Sequence, residues 1–280
     1  MGEVIAIASQ KGGVGKTTTA VNLSASLALL NHKTLLIDTD PQGHVASSFG
    51  FGKFDVKAGV YDLFLGNAKI TDMIHKTEIE NFDFIPTNIW ADNGKNEQLI
   101  SAASESILCE SIKEIRDSYR FILIDCPPAL GNLTLNALLA ADSLIVPVQC
   151  EYYALKTLGK FLKLIQTIRQ RQNPALQYRG FLLTMVDLRN NLTREVIKKI
   201  KYTLKGLVYE TMIPRNVRLA EVPFYGRPAI LFDKKSKGAS SYFKLAKEVI
   251  QQQPDLSSSL KSDLNQKEHS LNQLATLHAS

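Results

Sequence analysis

Short apolar runs alternate along the chain with longer stretches in which apolar side chains recur every three or four positions. The runs at 4–8, 34–38, 82–86, 121–125, 143–148, 178–185 and 207–213 read as strands. Most lack polar alternation, which marks strands buried on both faces. Helical spacing covers 16–30, 96–117, 133–140, 154–171, 193–204 and 240–252. Strand followed by helix, repeated, predicts an α/β fold: one mostly parallel twisted sheet with helices on both faces. No internal repeat and no linker interrupts the pattern before Pro254, so residues 1–253 are expected to form a single domain. Residues 254–280 read as a polar tail, helical or disordered, with Leu260, Leu264, Leu271 and Leu274 at near-heptad spacing.

Chemistry concentrates where the first run ends. Gln10-Lys11-Gly12-Gly13-Val14-Gly15-Lys16-Thr17-Thr18-Thr19 joins the first expected strand to the first expected helix. Three glycines in four positions let the backbone wrap a polyphosphate, because glycine takes positive φ without steric cost and lets main-chain amides approach closely. The helix that follows points its positive end at the same anion. Lys16 is positioned by this pattern for the β and γ phosphates and the Thr17 hydroxyl for Mg2+. The pattern G-x-x-x-x-G-K-[ST] is broken at its first glycine, where Gln10 stands, and a second lysine, Lys11, opens the loop.

In open sheets ligands bind beyond the carboxyl ends of the strands. Two further runs end in carboxylates there: the second reaches Asp38-Thr39-Asp40-Pro41-Gln42-Gly43, and the fourth reaches Asp125-Cys126-Pro127-Pro128. Apolar residues closed by aspartate are how a carboxylate is set near a nucleotide-bound magnesium, directly or through water.

Composition narrows the class. A chain of 280 residues, 45% hydrophobic, can bury a sizeable core. No apolar run approaches the roughly 20 residues that span a bilayer, and no signal-peptide pattern precedes the first strand, so a cytoplasmic location and no membrane association are expected. Cys109, Cys126 and Cys150 are scattered without metal-ligand spacing. Charge is divided unevenly: residues 1–150 carry a net −6 and residues 151–250 a net +13. Such asymmetry points to a polyanionic partner for the second half, although a basic stretch is also simply a well-solvated surface.

The loop Lys11-Gly12-Gly13-Val14-Gly15-Lys16-Thr17-Thr18 resembles that of the deviant Walker A ATPases, the group of ParA/Soj, MinD and the nitrogenase iron protein. Asp38-Thr39-Asp40-Pro41-Gln42-Gly43, Asp125-Cys126-Pro127-Pro128, the segment 147–155 and Ile213-Pro214-Arg215-Asn216-Val217-Arg218-Leu219 narrow the resemblance to ParA/Soj chromosome and plasmid partition ATPases over roughly residues 3–250. The resemblance implies a homodimer with ATP and Mg2+ between protomers and a weak intrinsic ATPase. It implies Lys11, Lys16 and Asp40 as catalytic residues, with Lys11 reaching the partner's nucleotide and Asp40 orienting the attacking water. The loop from Lys11 to Thr18 would bind the phosphates, Pro214 and Asn216 the adenine, and Thr17, Asp38 and Asp125 the metal. Arg189 and Arg218 would contact double-stranded DNA without sequence preference, with Arg194, Lys198, Lys199, Lys201 and Lys205 adding charge nearby. A ParB/Spo0J-like centromere-binding protein would be the partner that stimulates hydrolysis, and the protein would be nucleoid-associated. The alternative is a MinD-like membrane-positioning ATPase, which needs a C-terminal helix with bulky apolar and basic faces; the tail has two lysines and no tryptophan or phenylalanine.

Overall fold

The structure is a computed structural model that describes residues 1–52, 55–88, 103–129, 131–151 and 153–252. The tail expected at 254–280 and the first part of the helix expected at 96–117 lie outside the described residues.

Seven strands form one sheet: β1 (Glu3–Ile7), β2 (Thr34–Asp38), β3 (His75–Lys76), β4 (Phe82–Ile85), β5 (Phe121–Asp125), β6 (Ser143–Gln149) and β7 (Gln177–Thr184). Their order is β3-β4-β2-β5-β1-β6-β7. All neighbours pair in parallel except β3, a two-residue antiparallel edge. The expectation of a mostly parallel sheet holds, and β1, β2 and β5 are buried along their whole length.

Among the described residues six helices of nine residues or more cover the sheet: α1 (Lys16–Leu29), α2 (Ile107–Ile115), α3 (Asn132–Ala140), α4 (Ala154–Arg171), α5 (Asn191–Thr203) and α6 (Lys237–Gln251). One core packs α2 to α5 against one face through residues such as Leu108, Leu138, Phe161 and Ile200. The other packs α1 and α6 against the opposite face through Leu23, Leu27, Tyr242 and Leu245. Asn190 and Ser236 cap α5 and α6, each side chain accepting a backbone N–H of the first turn. α1 has no side-chain cap and no acidic residue in its first turn, so its amides face the loop before it.

The run at 207–213 is not a strand. It touches β7 through an isolated parallel bridge, Phe181 to Val208, and a second bridge just beyond both segments joins Val186 to Pro214. Between them the ladder is interrupted because the Glu248 carboxylate of α6 accepts the amides of Glu210 (2.7 Å) and Thr211 (3.0 Å). Its apolar residues are still buried: Tyr209 lies across β7, where Gly180 leaves room for the ring.

A side chain at position 180 would put its Cβ 2.5 Å from the Tyr209 ring. Gly180→Ala is therefore expected to cost about 1–3 kcal/mol through overpacking. Thermal denaturation should read this as a Tm several degrees lower, with unchanged secondary structure in circular dichroism.

Candidate functional site

β1 lies beside β5, and β5 beside β2, in a register that pairs Ile7 with Asp125 and Asp125 with Asp38. The loop leaving β1, the Asp125 carboxylate and the Asp38 carboxylate thus end at one level of the sheet. Within the loop Gly13 (φ 71°) and Gly15 (φ 88°) occupy the left-handed region. Gly12 does not, so two of the three loop glycines carry the conformational demand.

The two loop lysines have separate environments. Lys16 is buried, and its ammonium donates to the Lys11 carbonyl at 3.2 Å. Burial lowers its pKa, opposed by the nearby carboxylates of Asp125 and Asp40. Lys11 lies at the rim, its ammonium paired with Glu151 and donating to Gln149 Oε1 at 3.3 Å.

The aspartates differ equally. Asp38, fully buried, accepts the amides of Asp40 (3.0 Å) and Val45 (3.3 Å), one on each oxygen, and so shapes the turn after β2. Burial, and then Asp125 alongside, push its carboxyl well above the usual range. Neither oxygen of fully buried Asp125 has a hydrogen bond of ordinary geometry. Burial raises its pKa too, with the Thr17 hydroxyl close enough to restrain the shift. Asp40 holds the Gln42 amide at 3.0 Å. Thr39 closes the group by donating its amide (3.0 Å) and hydroxyl (2.7 Å) to the Asp125 carbonyl.

A buried carboxylate without partners is costly unless a cation or donor meets it. Among the described residues no group of three His, Cys, Asp or Glu could hold a metal. An ion between Thr17 and Asp125 would draw its other ligands from phosphate and water, which is the habit of Mg2+. The residues present therefore fit a magnesium–nucleotide pair.

Beside the loop is a cavity of about 200 Å3 lined by Gly15, Thr18, Pro214 and Asn216, as the sequence suggested, and by Thr184, Met185 and Tyr242, which it did not. The Asn216 Oδ1 is buried there without a donor. An adenine amino group has the chemistry to supply one.

The basic residues divide. Arg189 lines a cleft of about 660 Å3 together with Arg215, Lys237 and Lys244, and pairs with Asp187, whose carboxyl it pulls down to about 2. Arg218 lies outside the residues lining that cleft, paired with Glu221 (2.8 Å) and Asp233 (3.1 Å). Lys198 and Lys201 are paired with Glu195 and Glu210. Lys237 and Lys244 were missed in the sequence; neither forms an ion pair among the described residues. No helix of the described residues is long and apolar enough to cross a membrane.

Comparison with known proteins finds a family and a shared fold. A family model described as an AAA domain matches residues 2–178. The sporulation initiation inhibitor protein Soj of Bacillus subtilis is 47% identical over 249 residues, covering 89% of this chain and 98% of its own. The chromosome partitioning protein ParA of Myxococcus xanthus is 42% identical, covering 89% and 88%. Among solved structures, cobyrinic acid a,c-diamide synthase from Mycobacterium smegmatis with bound ADP and magnesium superposes with a TM-score of 0.75 at 33% identity, covering 89% of this chain and 94% of that one.

The contrast between the two buried carboxylates has a measurable consequence. Asp38→Ala leaves two buried amides without an acceptor and should destabilise the nucleotide-free protein by about 2–4 kcal/mol. Asp125→Asn removes a carboxylate whose burial outweighs what the Thr17 hydroxyl and Lys16 return to it, and should leave nucleotide-free stability unchanged or raised. Urea unfolding of the two variants checks the opposite signs.

Proposed function

This chain belongs to the family of Soj and ParA chromosome-partitioning ATPases, and from that premise we propose that it is an ATP-switched dimer that binds DNA without sequence preference and drives DNA segregation. The observation that carries the reading is the division of labour within one loop: Lys16 buried against Asp125 and Asp40, Lys11 at the rim. In this reading Lys16 serves the chain's own nucleotide, and Lys11 exchanges Glu151 for a nucleotide held by a second copy. Residues 1–253 form the ATPase domain in this reading, and 254–280 an appended tail.

ATP is the substrate, its phosphates in the loop from Lys11 to Thr18 and its base between Pro214 and Asn216. The Thr17 hydroxyl, with Asp125 and Asp38 behind it, would hold Mg2+, which would supply neutralising charge for the β and γ phosphates. Water attacks the γ-phosphorus, the bond to the β-phosphate oxygen breaks, and ADP and phosphate leave. Asp40 orients that water. Phosphoryl transfer needs positioning and charge neutralisation more than covalent help, and these come from Lys16, the loop amides and the partner's Lys11. Turnover is slow until a ParB/Spo0J-like protein stimulates it, so the bound nucleotide acts as a timer for the dimer.

DNA binding follows from dimerisation. Two copies of a modest basic patch, engaged together, raise affinity without new contacts. Arg189 and Arg218, with Arg215, Lys237 and Lys244 around the cleft, supply phosphate contacts. Nothing in the patch resembles a base-reading element, so binding is to the duplex backbone and the protein is nucleoid-associated.

Two measurements check this reading. Lys11→Ala should bind ATP about as tightly as wild type yet stay monomeric in light scattering, whereas wild type with ATP gives a dimer; a dimeric Lys11→Ala would remove the role given to Lys11. Duplex DNA should be bound with ATP, not with ADP or no nucleotide, and more persistently by Asp40→Ala. If Lys237 and Lys244 of each protomer engage four phosphates in all, affinity should fall on the order of a hundredfold between about 50 and 200 mM salt. Equal binding in every nucleotide state would overturn the switch.

A further inference from the structure

The carbonyl of Val14 lies between the two left-handed glycines of the loop, where amides turn inward to a phosphate and carbonyls turn outward. An outward carbonyl in a buried loop needs a donor. Val14 is 2% exposed, and its carbonyl accepts the hydroxyl of Thr184 at 2.9 Å. Thr184 is itself 2% exposed and closes β7, two strands away from β1. The residue after it, Met185, takes φ 52°, an uncommon conformation for a residue with a side chain. That turn brings Val186 onto the 213–215 segment: its amide donates to Ile213 (3.0 Å) and its carbonyl accepts from Arg215 (3.2 Å). Thr184 and Met185 both line the cavity with Asn216.

Thr184 is thus joined to the phosphate loop by its hydroxyl and to the base cavity by the chain itself. We propose that Thr184 is a positioning residue for the nucleotide, fixing the phosphate loop at a set distance from the base cavity by holding the Val14 carbonyl outward. The inference rests on the nucleotide reading above and adds a residue to it. Thr184 does not meet the reacting atoms; it acts through the loop. Valine in its place has the same shape, so the cavity wall and the packing of β7 are kept while the donor is lost. The Val14 carbonyl would then be buried with nothing to accept, and the loop would relax toward another donor.

The test compares wild type, Thr184→Val, Thr184→Ala and Thr184→Ser, titrated with Mg-ATP, Mg-ADP and adenosine. Thr184→Val is expected to bind ATP and ADP roughly tenfold more weakly. Adenosine, which lacks phosphates, should bind as it does to wild type, and Thr184→Ser, which keeps the donor, should restore nucleotide affinity to within about threefold. Should Thr184→Val not fold, the pair Thr184→Ala and Thr184→Ser carries the same comparison. Equal loss for ATP and adenosine, or a Thr184→Ser variant as weak as Thr184→Ala, would reduce Thr184 to a structural residue and overturn the proposal. Wild-type affinity for ATP in Thr184→Val sinks this inference alone; absence of ATP binding by wild type sinks the nucleotide reading and this inference with it.

Discussion

Parallel register across three strands is the constraint on which the site depends. Because β1, β5 and β2 run in phase, the residues that end them arrive at one level: Ile7 leading into the loop, Asp125, and Asp38. An offset of one residue on β5 would turn Asp125 to the other face of the sheet and bring Ile124 or Cys126 to the loop. The phase is locked by apolar burial on both faces and, at its end, by Thr39, which ties the β2 exit to the Asp125 carbonyl twice. The geometry of the site is a by-product of how the core packs.

The same register concentrates charge where water is scarce. Asp38 and Asp125 are neighbours, both fully buried, with Lys16 beside them. Asp38 is stabilised by two amides of its own chain, and Asp125 is not. This asymmetry separates a carboxylate that builds the loop from one that is left open to a ligand.

Much of this was legible in the sequence, for local reasons. The loop from Lys11 to Thr18 and the aspartates at strand ends are read from contiguous residues, because a strand, a tight turn and a helix start each have short-range signatures. The strands at 34–38 and 121–125 fall where the apolar runs place them. What escaped was set by distant partners. The run at 207–213 has strand composition, yet its central amides are taken by Glu248, 37 and 38 residues onward. Lys11 opens the loop in the sequence, and its pairing with Glu151, 140 residues away, is announced by no local pattern. Thr184 and Tyr242 line the cavity beside Gly15 and Asn216 through tertiary placement that no local pattern records. The antiparallel edge β3 is two residues long and carries no periodicity.

The pairing of Arg189 with Asp187, and of Arg218 with Glu221 and Asp233, bears on how each of these arginines would meet a polyanion. Each arginine already has a counterion that belongs to the protein. Contact with a phosphate by such a residue is an exchange of one anion for another, and the displaced carboxylate stays close by as a competitor. Fewer dissolved ions are liberated than a tally of arginines suggests, and the vacated carboxylates push back against the incoming strand. A surface built this way would hold a polyanion loosely through any single residue and release it readily.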